Sequence, residues 1–260
     1  MSLDVKIPKI IAQTWKSSDV NTIPDHWKSS PASFQYFLPD WQYVLSGDKE
    51  NRDFVAEHFP SFLPYYDRFE HNIMRVDAWR YCWLYVYGGM YADCDIELTQ
   101  SIEELFYVDR EFYACPSGNF ANYYTNAIMA AKPGAKVFLD CIELMKQGPS
   151  WYAFGKHLTV MTTTGPMMFS RAVAMQDPSS YHILNSKLLT PCSVCDPMPC
   201  TVPGSYVRTL PGSSWIATDT RIFIYCKCQW RGMMILVTII LIVYLVLLSL
   251  RAFRKYDKCK

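Results

Sequence analysis

The stretch YGGMYADCDIEL, residues 87–98, decides how the surrounding chain is interpreted. Three carboxylates, Asp93, Asp95 and Glu97, alternate there with apolar residues. Because alternate side chains of a strand point the same way, the pattern predicts a strand over 90–98 with all three carboxylates on one face. Successive carboxylates would then lie roughly 6–7 Å apart.

Strand-like and helix-like segments alternate on both sides of this stretch. Strands are predicted over residues 9–15, 41–48, 112–116 and 125–131, and helices over 49–59, 71–89 and 135–146. Asp48 is predicted to cap the helix at 49–59, and Gly165-Pro166 to form a turn before a helix within 162–175. Residues 179–207 are predicted to be mostly loop. The alternation favours a parallel α/β sheet, in which ligands bind beyond the carboxyl ends of the strands.

Three like charges on a mostly buried strand are costly unless something neutralises them. A divalent cation is one solution, because Mg²⁺ and Mn²⁺ prefer oxygen ligands and usually share them with substrate phosphates. Asp77 and Arg80 lie three apart on the predicted helix at 71–89, and Arg75 joins them from nearly the same side. These residues reach the same pocket as the aspartates, or else form an internal salt bridge. A solvated acidic turn is the alternative to the metal site.

Length and composition limit the class of protein. The 260 residues suggest one large domain or one and a half. The net charge of +1 gives no electrostatic case for nucleic acid, so no nucleic-acid partner is predicted.

The C-terminal region differs in kind from the rest. Residues 233–250 carry no charge, and as a helix they would be about 27 Å long, close to the hydrocarbon thickness of a bilayer. We therefore predict a domain over 1–230, a single transmembrane anchor over 231–252 and a basic tail over 253–260, with a buried core helix as the alternative. The basic tail favours a cytosolic C-terminus, whereas the N-terminus lacks the pattern of a signal peptide, so the two topology signals conflict.

The cysteines leave alternatives open. Cys192, Cys195 and Cys200 in PCSVCDPMPC form disulfides, form a structural zinc site with His182, or are ordinary loop cysteines. A separate group flanks the apolar segment and would be a candidate for acylation on the cytosolic side: Cys226, Cys228 and Cys259.

Several motifs together resemble glycosyltransferase family 32, and specifically its DXD sugar-binding region. The central match is R75-x-D77-x-x-R80-Y81 followed by Y87-G88-G89-x-Y91-x-D93-x-D95. IPKIIAQTWK is similar to the family's opening, and further matches are TNAIMAAKPG, LTVMTTTGPMMFS and GSSWIATD. The similarity covers about residues 7–230. With the apolar segment that follows, the chain resembles the membrane-bound mannosyltransferases that act on inositol phosphoceramide.

The resemblance implies a GT-A-like, Rossmann-type mixed sheet flanked by helices, and retaining transfer of a hexose from a nucleotide sugar. The implied catalytic residues are Asp77, Arg80, Asp93, Asp95 and Asn126. The implied donor-binding residues are Gln13, Thr14, Trp15, Arg75, Gly165, Ser213, Ser214 and Trp215. Mn²⁺ or Mg²⁺ would bind Asp93 and Asp95, while Trp15 would stack on the nucleobase and Glu97 would lie outside the motif as a solvated or helix-pairing residue.

Two positions depart from the family pattern. Ala12 and Ile216 stand where histidine is usual, and Asp219 is a candidate to replace the second histidine as a metal ligand. The predicted function is transfer of mannose from GDP-mannose, or of a hexose from a UDP-sugar, to a lipid or glycan acceptor. The location would be the membrane of the Golgi or another endomembrane, with a regulatory subunit as a further partner. The alternatives are an inactive relative that binds a nucleotide sugar or lipid head group, and a metal-dependent pyrophosphohydrolase.

Overall fold

A computed structural model describes residues 5–118 and 123–257, and the chain divides into two compact units, Met1–Ala217 and Thr218–Lys260. The strands of the first unit are β1 Ile10–Thr14, β2 Gln42–Ser46, β3 Gly89–Ala92, β4 Ile96–Leu98, β5 Phe112–Ala114, β6 Ile128–Ala131, β7 Tyr181–Ile183 and β8 Val207–Thr209. Its helices are α1 Ser29–Phe37, α2 Asp48–His58, α3 Leu63–Arg68, α4 Asn72–Tyr87, α5 Lys136–Lys146, α6 Gly155–Thr163, α7 Pro166–Ala174 and α8 Ser186–Leu189. Short 3₁₀ turns lie at Val20–Thr22, Asp25–Trp27 and Glu103–Leu105.

Six strands form a mixed sheet in the order β2-β1-β3-β6-β5-β7. β1 runs parallel to β2 and β3, whereas β6 is antiparallel to both β3 and β5, and β5 is parallel to β7. The prediction of a mixed sheet flanked by helices is therefore confirmed, and the purely parallel arrangement that the alternation favoured is wrong. β4 and β8 form a separate antiparallel pair.

The sheet lies between two apolar clusters because successive strand residues point to opposite faces. Ala12 and Tyr91 lie in the cluster that also contains residues of α4, α5 and α7. Their neighbours Ile11 and Met90 lie in the other cluster, with Phe34 of α1. All of these side chains are buried, so β1 and β3 are central strands covered on both faces.

Two consecutive glycines set the turn from α4 into β3. Gly88 and Gly89 have φ values of 65° and 77°, in the left-handed region that residues with a Cβ rarely adopt. A Cβ on Gly89 would lie 2.3 Å from the carbonyl oxygen of Ile10. The glycines thus allow β3 to start directly against β1, which fixes where the acidic stretch leaves the sheet.

The predicted strand over 90–98 is wrong in its second half. β3 ends at Ala92, a turn follows in which the Ile96 amide donates to the Asp93 carbonyl over 3.1 Å, and β4 joins the second sheet. The Asp93 amide still pairs with the carbonyl of Ala127 over 2.8 Å, which continues the pairing with β6 by one residue, and the turn begins at Asp93. The three carboxylates consequently do not share one strand face. Glu97 lies outside the cavity, where it forms an ion pair with Arg208 on β8 and accepts from the Ser29 hydroxyl on α1 at 3.0 Å, so its expected pairing with a helix is confirmed.

Other predicted elements lie close to the observed ones, with two local differences. Gly47, not Asp48, precedes the first turn of α2 as its cap, and no side chain caps it. The residues before the Gly-Pro turn belong to α6, which was not predicted because its threonines favour helix weakly. Most of 179–207 is loop, as expected, apart from β7 and α8.

Cys192 and Cys200 form a disulfide with their Cα atoms 6.1 Å apart. This bond consumes two of the three thiols that a zinc site in the loop would need. The disulfide alternative is confirmed and the zinc alternative is wrong. His182 lies on β7, where its ring packs against that of Tyr113 at 5.9 Å.

The second unit is a long helix, α9 Thr218–Asp257. Among the described residues, α9 is the one helix that is both long enough and apolar enough to cross a membrane, judged by length and composition. Its apolar side chains are exposed from Met233 to Leu248, so it is not a buried core helix of this chain. Cys259 lies outside the described residues.

Candidate active site

A cavity of about 210 Å³ opens at the carboxyl ends of β1 and β3. This position agrees with the rule that open α/β sheets bind ligands beyond the carboxyl ends of their strands. Its wall comprises Thr14, Trp15, Lys16, Trp27, Asp48, Asn72, Ile73, Val76, Arg80, Tyr91, Asp93, Cys94, Asp95, Lys156, Ser213, Ser214 and Trp215. The cavity therefore joins the end of β1, one side of α4, the acidic turn and residues 213–215.

Asp93 is held in place by two partners. Arg80 contacts its carboxylate with Nη1 to Oδ1 at 3.0 Å, and the Tyr91 hydroxyl donates to the same oxygen at 2.7 Å. The Arg80 guanidinium also lies 4.5 Å from the centre of the Tyr91 ring. Asp93 is thus neutralised and oriented by the protein itself.

Asp95 has different surroundings. Its backbone carbonyl accepts from the Leu210 amide at 2.7 Å, but within residues 5–118 and 123–248 no other side chain donates a hydrogen bond to its carboxylate. Burial and, to a smaller extent, the nearby charge of Asp93 raise the pKa of Asp95 to about 7, although its own backbone amide and the charge of Arg80 act in the opposite direction. A negative charge at Asp95 is therefore costly until a cation enters the cavity.

A buried polar network lies behind the cavity wall. The Asp77 carboxylate pairs with Arg80 at 3.1 Å and accepts from the Asn126 amide at 3.0 Å and the Thr164 hydroxyl at 2.8 Å. The Asn126 amide also donates to the Tyr81 hydroxyl at 2.9 Å. Burial outweighs these contacts and raises the pKa of Asp77 to about 6. The opposite charges of Asp93 and Asp77 raise the pKa of Arg80, so the guanidinium stays charged.

The structure brings most of the predicted site residues together in the cavity wall: Thr14, Trp15, Arg80, Asp93, Asp95, Ser213, Ser214 and Trp215. The others lie outside that wall as far as the structure is described: Gln13, Arg75, Asp77, Asn126 and Gly165. Asp77 and Asn126 reach the cavity only through Arg80, since the Asn126 carbonyl also accepts from Arg80 at 2.8 Å.

The remaining members of that group support the framework. The Gln13 amide donates to the Ser30 hydroxyl at 2.9 Å and to the Asp93 carbonyl at 3.2 Å, which ties β1 to the acidic turn. Arg75 donates to Asn72 and to the Phe69 carbonyl. Gly165 precedes α7 as its cap.

The two residues that depart from the family pattern, Ala12 and Ile216, and the candidate replacement ligand Asp219 lie in different parts of the chain. Asp219 belongs to the second unit, where its carboxylate accepts from the Thr220 amide at 2.7 Å. Ile216 lies next to the cavity residue Trp215 in sequence and is 37% exposed. Ala12 is fully buried within β1, where a histidine would not fit without displacing core side chains.

Sequence reasoning missed four polar residues of the wall: Lys16, Asp48, Asn72 and Lys156. Lys16 directly follows the strand-end residues already selected, so its position on the chain could have indicated it. The Asn72 amide donates to both oxygens of Asp48, at 3.1 and 3.0 Å. Lys156 is on α6, far along the chain from the acidic turn, and no local pattern marks it.

The residues present fit a divalent cation that is shared with a substrate. In the part of the chain that the structure describes, no group of three or more His, Cys, Asp or Glu side chains could hold a metal by itself. Mg²⁺ and Mn²⁺ are commonly bound by one or two carboxylates together with water and substrate phosphates. Asp95, which lacks a cationic partner, and Asp93 beside it supply that number.

Residues 24–111 match the family profile described as "Glycosyltransferase sugar-binding region containing DXD motif". The chain belongs to the DXD-containing glycosyltransferases. Inositol phosphoceramide mannosyltransferase 2 of Schizosaccharomyces pombe is 36% identical over 165 residues, which cover 63% of this chain and 45% of that protein. Inositol phosphoceramide mannosyltransferase 1 of the same yeast is 30% identical over 227 residues, 85% of this chain and 66% of that one. The chain spans about half the length of the curated relatives it matches.

A solved structure supports the fold. The PaToxG glycosyltransferase superposes with a TM-score of 0.51 at 15% sequence identity, covering 66% of this chain and 70% of that one. The prediction of a GT-A fold is confirmed.

Proposed function

We propose that this glycosyltransferase moves mannose from GDP-mannose to a lipid-linked inositol phosphate, with Mn²⁺ or Mg²⁺ at the acidic turn. One observation supports the proposal: of two carboxylates that face one cavity, Asp93 is paired with Arg80, whereas Asp95 forms no ion pair within the described residues. The names of the relatives supply the sugar and acceptor class.

The nucleotide sugar would be held by both charged and aromatic parts of the wall. When bound, the cation supplies Lewis-acid stabilisation of the charge that develops on the leaving diphosphate. Lys16 and Lys156 add positive charge along the same wall. The Trp15 indole is held by its N–H, which donates to the Thr22 carbonyl at 3.0 Å, so its ring is oriented before a base stacks on it.

The role of Arg80 would be to position the acidic turn, and not only to bind phosphate. Its guanidinium is 2% exposed and contacts Asp77 and Asp93 at once. Asp77 and Asn126 would act through Arg80 by holding its guanidinium in position to contact Asp93. Ser213, Ser214 and Trp215 would close over the diphosphate and exclude water, which favours transfer over hydrolysis.

We further propose that α9 anchors the chain as a single-pass membrane protein, with the first unit in an oxidising lumen such as the Golgi. The Cys192–Cys200 disulfide supports that side, because disulfides persist in oxidising compartments. The basic residues that follow the apolar stretch favour a cytosolic C-terminus, which gives the same orientation.

A donor screen tests the function. The full chain in detergent is assayed for thermal stabilisation by GDP-mannose, UDP-glucose and UDP-galactose, each with Mn²⁺ and with chelator, together with nucleotide release. Metal-dependent stabilisation by GDP-mannose and release of GDP with a lipid acceptor are expected. Stabilisation without release, with every acceptor, would contradict transfer and point to Ile216 as the lesion. If a UDP-sugar stabilises the chain more than GDP-mannose does, GDP-mannose would be the wrong donor and the UDP-sugar would replace it in the proposal.

A further inference from the structure

A short loop between α5 and α6 exposes three large aromatic side chains. Trp151 is 96% exposed, Phe154 74% and Tyr152 44%. Scattered exposed apolar residues are ordinary, but three large aromatics within four residues form a patch that indicates an interaction surface.

The loop has a defined conformation. The Ala153 amide donates to the Ser150 carbonyl at 2.8 Å, which makes a turn with Trp151 and Tyr152 at its tip. The rings of Trp151 and Tyr152 pack edge to face at 5.6 Å. The aromatic patch is therefore a structured feature of the first unit.

The patch lies near the cavity. Lys156, two residues beyond Phe154, belongs to the cavity wall. His157, the next residue, stacks on the Trp215 ring with centroids 5.7 Å apart and planes 8° apart, and Trp215 also belongs to the wall. The aromatic patch therefore adjoins the cavity at the Lys156 and Trp215 side.

The same side is where the chain leaves the first unit. Trp215 precedes Ala217, the last residue of that unit, by two positions, and the apolar helix α9 follows. Two residues of extended chain span at most about 7 Å, so the exit point is close to the His157–Trp215 stack. The end of the first unit therefore lies beside Trp215 of the cavity wall.

We propose that residues 151–154 insert into the lipid interface of the membrane and guide a membrane-borne acceptor to the cavity. Trp and Tyr concentrate at membrane–water interfaces, where an apolar ring body and a polar edge are both satisfied. We favour the membrane over a protein partner because the loop adjoins the cavity and the end of the first unit, after which the chain continues into the uncharged stretch that begins at Met233. The proposal rests on the membrane anchorage and the lipid acceptor proposed above.

Quenching of tryptophan fluorescence by lipid gives a direct test. The full chain is reconstituted in phosphatidylcholine vesicles with and without brominated acyl chains. Trp151→Phe should remove a quenched component of the emission. Trp230→Phe, next to the apolar stretch of α9, should also remove one and serves as the positive control. Equal quenching in wild type and Trp151→Phe would overturn the proposal and leave the loop to a protein partner.

Transfer kinetics supply a second readout. Trp151→Ser combined with Phe154→Ser should raise the apparent KM for an acceptor in vesicles about tenfold, while the donor KM and transfer to a water-soluble inositol phosphate stay unchanged. Tyr36→Ser, which removes a ring 77% exposed on α1, is the matched control and should change neither value. An unchanged vesicle KM in the double variant would contradict the guiding role.

Failure of the proposed function and failure of the membrane anchorage give different results. If the wild type transfers sugar to no acceptor, the proposed function fails while the quenching result still decides where the loop lies. If the wild type does not associate with vesicles, the anchorage fails and the loop proposal fails with it.

Discussion

The two aspartates of the acidic turn stand two residues apart and have opposite surroundings. Asp93 receives a guanidinium and a tyrosine hydroxyl, and behind it Arg80, Asp77 and Asn126 form a closed network. Asp95 faces the same cavity without a cationic partner of its own in the described residues. Within one short turn, the protein itself neutralises Asp93, and we propose that a bound cation neutralises Asp95.

Because of this difference, we expect the buried network to contribute to the free energy of unfolding and the open cavity wall to contribute to the free energy of ligand binding. Charges in the buried network contribute to the free energy of unfolding, because removing one leaves its partners desolvated and unpaired. We expect charges on the open wall to contribute to binding and to lower the stability of the empty protein. Each region can therefore be disturbed with a different measured consequence.

The largest effect is expected from Arg80→Met. The substitution leaves Asp77 and Asp93 without their shared cation, and loss of one partner of a buried pair costs about 3–5 kcal/mol. Urea unfolding of the detergent-solubilised chain measures this change in the free energy of unfolding. Arg75→Met on the same helix α4 removes only hydrogen bonds and should cost less than about 1.5 kcal/mol. Equal losses in the two variants would contradict the distinct role of Arg80.

Asp95→Asn should act on binding and catalysis. We expect loss of Mn²⁺-dependent donor stabilisation and a fall in kcat of at least about 100-fold, the scale for removing a group that stabilises transition-state charge. Stability without ligand should be retained, because the variant removes a desolvated charge. Asp93→Asn should lower both activity and stability, since it breaks contacts with Arg80 and Tyr91. Normal turnover by Asp95→Asn would refute the metal assignment.

The network should also make stability depend on pH. The pKa of Asp77 is raised to about 6 in the folded chain, so its contribution to stability is full below its ordinary pKa near 4 and is lost as pH rises through 6. Asp77→Asn should flatten the fall in unfolding free energy between pH 4 and 6 by up to about 3 kcal/mol. Asp177→Asn on the surface is the control: the pKa of Asp177 is lowered, so its contribution changes only below its ordinary pKa near 4 and its removal should leave the slope between pH 4 and 6 unchanged. An unchanged slope in Asp77→Asn would contradict the desolvated carboxylate.

The smallest effect is expected from Lys156→Met. One cation on an open wall should contribute about 1.4 kcal/mol to binding, which corresponds to a tenfold rise in the donor KM. The difference should shrink at high salt because exposed charges are screened. Lys146→Met, which removes a surface pair with Glu143, is the control and should leave the KM unchanged. A salt-independent KM in the wild type would argue against a phosphate contact.

Much of the framework could be predicted from local pattern. The predicted strand at 9–15 and helix at 71–89 correspond to β1 Ile10–Thr14 and α4 Asn72–Tyr87, and the stop at Gly88 follows from its positive φ. The strand over 90–98 failed for a physical reason: alternation describes which way side chains point, not whether the next strand partner exists. Beyond Ala92 the chain turns and pairs with β8, more than a hundred residues away along the chain.

The sequence by itself determined the DXD motif, the glycines that precede it and the apolar helix after the first unit. Those features are local: residue type and spacing over a few positions suffice for a motif, a helix stop at glycine or a helix long enough for a bilayer. Tertiary structure alone decided that Arg80 neutralises Asp93 and not Asp95, that Asp77 and Asn126 lie behind the wall, and that Lys156 faces the cavity. Electrostatic and hydrogen-bond partners are set by distance in space, and spacing along the chain does not contain that distance.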